Sequence, residues 1–66
     1  MKDFQGKELQ IGDEVIFAYN RHKTTKLEKG TIIETGIKQV NMIMAKIHIT
    51  SIDTTCRVAS HNIYLI

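Results

Sequence analysis

Leu9-Gln10-Ile11-Gly12-Asp13-Glu14-Val15-Ile16-Phe17-Ala18-Tyr19 is the stretch on which the fold turns. Gly12-Asp13 is a turn signal, because glycine tolerates positive φ and an aspartate carboxylate accepts hydrogen bonds from nearby backbone. Beyond it, Val15, Phe17 and Tyr19 alternate with Glu14, Ile16 and Ala18. A period of two built from β-branched and aromatic residues predicts a strand over residues 14–19.

Further along, residues 20–28 are polar apart from Leu27, which predicts a long loop. Gly30 then introduces Thr31-Ile32-Ile33-Glu34-Thr35, a second strand closed by Gly36. The segment Lys38–Thr50 reads two ways. Val40, Ile43, Met44 and Ile47 fit a helical stripe, whereas Val40, Met42 and Met44 alternate, as do Ile43, Ala45, Ile47 and Ile49. No capping residue or closing glycine brackets a helix and β-branched residues are frequent, so one long strand is the favoured reading. Apolar residues on both its faces call for a bend, a bulge or a covering partner.

Ser51-Ile52-Asp53-Thr54 reads as a tight connection and Thr55–Ala59 as a fourth strand. Ser60-His61-Asn62 reads as a short turn and Ile63–Ile66 as a final strand. Short strands between regularly spaced turn signals, with no proline, predict an all-β fold. About five antiparallel strands hide their edges best by closing into a small barrel. Residues 1–66 then form a single domain.

A chain of 66 residues buries only about 60% of its unfolded surface, which leaves no room for a deep, water-excluded cleft. Binding is therefore expected, and catalysis is not. With 42% hydrophobic and 24% charged residues, the chain is too apolar for intrinsic disorder. The lone Cys56 cannot form an internal disulfide or the paired thiols of a structural zinc site. It suits a reducing cytoplasm, or a small buried apolar position. The opening Met-Lys-Asp-Phe-Gln-Gly-Lys-Glu-Leu-Gln lacks the apolar run of a signal peptide. No stretch approaches the roughly 20 apolar residues of a membrane span. A cytoplasmic protein without membrane contact is expected.

Net charge is only +2, but its distribution is uneven. Residues 20–29 carry Arg21, Lys23, Lys26 and Lys29 against Glu28 alone. With His22 among them and Tyr19 beside them, these residues could neutralise phosphates of RNA or DNA in a salt-sensitive, sequence-tolerant way. Tyr19 could supply a stacking face, and Lys38 and Arg57 could add charge. The plainer reading is a solvated loop whose lysines protect strand edges.

His22, His48 and His61 lack metal-ligand spacing, and no Ser, His and Asp set has a catalytic context. Phosphate loops and dinucleotide fingerprints are absent, so no cofactor, metal or catalytic residue is expected. Met42, Met44, Ile47 and Ile49, with Ile43, form the most apolar segment. They are either core or a surface packed against a partner or a second copy, since methionine-rich surfaces adapt well.

The order Gly12-Asp13-Glu14-Val15, polar loop, Gly30-Thr31-Ile32, long strand, Arg57-Val58 and Ile63 resembles the SH3-like barrels. It is most similar to the KOW-type modules of bacterial transcription elongation factors and some ribosomal proteins. It is also similar to the free-standing SH3-like proteins of bacteriophages and prophages. The resemblance implies a strand, a long first loop, a three-stranded meander, a one-turn 3₁₀ helix near Ser60-His61-Asn62 and a closing strand. Two functions follow from it: docking onto a host or bacterial protein, which is the favoured expectation, or nucleic-acid binding of the KOW kind. Signalling SH3 domains resemble the chain less, because their groove pairs an acidic loop with an aromatic platform. Here the segment is basic and tryptophan is absent, so proline-rich peptides are not expected.

Overall fold

In the computed structural model, which describes residues 1–21 and 24–66, the chain is all-β. Five strands run β1 (Glu14–Arg21), β2 (Thr24–Gln39), β3 (Met42–Ile49), β4 (Thr54–Ala59) and β5 (Ile63–Leu65). Short 3₁₀ turns at Thr50–Ile52 and Ser60–Asn62 join the last three. All pairings are antiparallel, in a single sheet ordered β4-β3-β2-β1-β5. The Gly12-Asp13 turn forms as its residues imply: Asp13 Oδ2 accepts the Gln10 amide at 2.9 Å.

Topology forces this sheet to curl. β4 and β5 lie at opposite edges, yet only four residue steps join Ala59 to Ile63. Those steps reach at most about 15 Å, whereas a flat five-stranded sheet would separate its outer strands by about 19 Å. Curling also gives the single sheet an interior. Val15 and Phe17 of β1, Ile32 of β2, Ala45, Ile47 and Ile49 of β3 and Ile63 of β5 are all fully buried in one cluster.

The long β2 is what bends. Sixteen residues of straight strand would run about 53 Å, but the longest extent of the molecule is 27 Å. Register shifts between Ile32 and Glu34 and between Glu34 and Ile37 mark the bend. Gly36 sits there at φ +71, a conformation other residues resist. Gly30 serves a different need. A Cβ at this position would strike Ile47 Cγ2 and lie 2.9 Å from the His48 carbonyl oxygen. A side chain there would push β2 off β3.

Several expectations are corrected. The long loop expected over 20–28 is ladder at residues 20, 21 and 24–28, with His22 and Lys23 outside the described residues: β1 and β2 pair from Glu14↔Thr31 out to Arg21↔Thr24. The residues are polar because most of this extension lies beyond the core, where period-two burial no longer requires apolar side chains. Gly36 does not end the second strand, which continues to Gln39. The single long strand over 38–50 is two strands, since Val40 and Asn41 turn the chain between Gln39 and Met42. Val40 stands at φ +54 and is 91% exposed. A β-branched residue rarely accepts that conformation, which is why no turn signal was visible.

Residues 1–8, which carried no structural expectation, form a small flap with Leu9. Lys2 bridges Glu8, and the Leu9 amide donates to the Met1 carbonyl at 2.8 Å. The Phe4 amide donates to the Ile63 carbonyl at 2.8 Å, which covers the outer side of β5. Asp3, 6% exposed, pins the flap. Its Oδ1 accepts the Gln5 and Lys7 amides at 2.9 and 2.8 Å, and its Oδ2 accepts the Leu65 amide at 2.8 Å. Burial opposes ionisation of Asp3. The amides of Leu65, Lys7 and Gln5 and the Lys7 charge outweigh it, and hold the carboxyl below its ordinary value.

Candidate interaction site

Period-two geometry decides which candidate residues meet. Residues directly opposite in an antiparallel ladder share a face. Tyr19 faces Lys26 across β1 and β2, whereas Lys29 faces Ile16 on the other side of the sheet. Lys38 stands opposite Ile43 near the β2–β3 turn, and Arg57 opposite Lys46 on β3 and β4. The basic residues read from the sequence therefore do not make one patch. Arg21 ends β1, and His22 and Lys23 lie outside the described residues.

Of the apolar candidates, Ile47 and Ile49 are core. They share the inward face of β3 with Ala45 and are 0% exposed, so neither can form an interface. Met42 and Met44 fall on the opposite face, with Lys46 and His48. Met42 is exposed and Met44 half-buried.

A groove collects Tyr19, Met42, Met44 and Arg57 from three strands. One wall is Ala18–Asn20 of β1, and the other is Cys56–Ala59 of β4. The cause is a mismatch in strand length. β5 pairs only with Val15, Ile16 and Phe17, so β1 runs on from Ala18 with no neighbour on that side. Curling brings the free edge of β4 toward this stretch, and the groove between them has a volume of about 370 Å³. His61 and Asn62 of the 3₁₀ turn close one end. Among the described residues, no backbone hydrogen bond joins β4 to β1 or β5.

The chemistry of the walls is mixed. Tyr19 is half-buried, edge-on to Phe17 at 6.3 Å between ring centroids, and so belongs partly to the core. Arg57 is exposed and forms no ion pair among the described residues. Burial pushes the Cys56 thiol above its ordinary pKa, which disfavours the reactive thiolate. Elsewhere His48 Nε2 lies 3.0 Å from Asp53 Oδ1 on the outer face, away from the groove. Among the described residues, no group of three His, Cys, Asp or Glu side chains could hold a metal. Among the same residues, no helix is long and apolar enough to cross a membrane.

No sequence signal marks Asp3, and His61 is marked only as a turn residue without metal-ligand spacing. Nothing in the spacing of Asn62, Ala18 or Val58 marks them as neighbours. The unequal lengths of β1 and β5 were the one available clue, and the short final apolar run Ile63–Ile66 carried it.

The sheet and its gap define a small all-β domain of five antiparallel strands. The chain belongs to the family described as Domain of unknown function (DUF7205), whose model matches residues 1–60. That span takes in the flap and β1 to β4. No curated protein and no solved structure matches the chain.

Proposed function

We propose that this chain is a non-enzymatic, cytoplasmic protein-interaction module with an SH3-like barrel layout, of the kind found free-standing in bacteriophages and prophages. The observation that carries the reading is the gap between Ala18–Asn20 and Cys56–Ala59, where two strands, each paired on one side, have no described ladder partner on the side that faces the gap. Unpaired strand edges template the addition of another strand. The sheet order, the bent second strand and the 3₁₀ turn at Ser60–Asn62 support the SH3-like layout.

The KOW-like alternative, in which a basic loop binds RNA or DNA, has less support. Lys26 and Lys29 lie on opposite faces, and Tyr19 is half-buried rather than presented for stacking. A pull-down from bacterial lysate with tagged protein, run with and without nuclease and at low and high salt, separates the two. A discrete protein that survives nuclease and high salt is the expected result. Nucleic acid retained at low salt and lost at high salt would overturn the reading, because phosphate contacts weaken steeply with salt.

A further inference from the structure

We propose that the gap between β1 and β4 receives one extended, acidic segment of a partner protein, seated as an added strand whose alternate side chains are apolar. The proposal rests on the protein-interaction reading above and names the chemistry of the partner.

Backbone geometry sets the kind of ligand. Ala18–Asn20 and Cys56–Ala59 flank the groove as extended strands, each with one side unpaired. Both walls contribute consecutive residues, so the groove runs along strand edges rather than over a sheet face. At about 3.3 Å per residue, the three residues of the β1 wall accommodate about three residues of ligand. The other edge of the sheet is already covered, because the flap occupies β5 through the Phe4 amide and Asp3. Among the described residues, the gap is where two open strand edges face one groove; the other open edge, Thr24–Gly30 of β2, has no strand across from it.

Charge sets the sign of the ligand. Among the described residues, Arg57 and His61 line the groove, and no carboxylate does. Arg57 stands directly across the ladder from Lys46. Like charges so placed repel, and a carboxylate from an added strand beside Arg57 relieves that repulsion. Apolar character comes from Met42, Met44 and the Tyr19 ring, so side chains turned toward them are apolar. A second copy of this chain fits poorly, because its free edge, Thr54–Ala59, brings another Arg57 and no acid.

The test is selection of an mRNA-displayed random octapeptide library on the intact protein, followed by amide hydrogen exchange with a selected peptide bound. Enriched peptides are expected to alternate apolar residues with Asp or Glu, and to slow exchange in Ala18–Asn20 and Cys56–Ala59. Arg57→Glu is expected to weaken the selected peptide at least about tenfold and to enrich basic peptides on reselection. Met42→Glu, at a second exposed position, is expected to weaken it as well. Thermal melts of both variants report that they remain folded. Absence of enrichment, enrichment without acidic residues, or protection away from these two stretches overturns the proposal. A partner captured from lysate whose binding survives both substitutions sinks the proposed seat and leaves the protein-interaction reading standing. Nuclease-sensitive capture sinks that reading itself.

Discussion

At one edge of the sheet β5 is closed by a flap, while at the other β4 is left open. The two edges face the same physical problem, since a strand's outer side presents a row of unpaired amides and carbonyls. β5 is three residues long, and the Phe4 amide and the Asp3 carboxylate take up its outward groups. β4 is six residues long, without bulge or proline, and no described segment pairs with its outer side. The short β5 is what leaves β1 without a neighbour on the side toward β4, so the open edge and the gap share one cause.

Gly30→Ala is the bluntest way to erase the difference. Its Cβ would press on Ile47 and on the backbone of His48, and backbone cannot swing aside. A loss of roughly 3 kcal/mol is expected, at the upper end of overpacking costs, and urea denaturation measures it. Both edges should then exchange their amides quickly. A variant as stable as the parent would show that β2 and β3 are not held as close as the register implies.

Asp3→Asn acts on one edge only. An amide nitrogen would face the Leu65 donor, so the flap should lift and the Leu65 and Phe4 amides should exchange faster, while β4 is unchanged. The same variant removes a pH dependence. Because the folded carboxyl titrates below its ordinary range, its stabilisation is full above the unfolded pKa of about 4 and is lost as pH falls through the folded value. The parent should lose stability on acidification over that window, and Asp3→Asn should show a shallower slope. An identical slope in the two proteins would remove Asp3 from the account of the closed edge.

Val40→Gly sharpens the comparison by changing overall stability without touching either edge. Relief at φ +54 outweighs the added freedom of the unfolded chain, and a gain of up to about 1 kcal/mol is expected. Calorimetry should record a higher melting temperature, with the ratio of exchange rates at the two edges preserved. A lower melting temperature would mean that Val40 is not strained.

The smallest effect concerns Cys56, on the wall of the groove. With its thiol pKa raised by burial, alkylation by iodoacetamide at mildly alkaline pH should run slower than with a small free thiol. A bound peptide strand should slow it further. Rates unaffected by a saturating peptide would place that peptide elsewhere.

The strands were legible where burial alternates. Val15 and Phe17 announced β1, Ile47 and Ile49 fell where a strand was expected, and Ser60-His61-Asn62 marked the last turn. The polar run after Tyr19 was not legible, because ladder beyond the core needs no apolar face and looks like loop. The Val40-Asn41 turn was hidden for the opposite reason, since an apolar residue occupies a position where glycine is usual. Of the candidate site, Tyr19, Met42, Met44 and Arg57 were singled out for separate reasons, and only the folded sheet puts them along one groove.

The all-β fold could be read from the chain alone, because period-two burial and short turns are local properties written in adjacent residues. Which edge is closed, which is open and what lines the gap between them emerge with the folded sheet. Those depend on curling of the sheet and on the reach of Asp3 to Leu65, sixty-two residues away. Contacts over such separations are fixed by how the whole sheet closes, and no short window of sequence carries them.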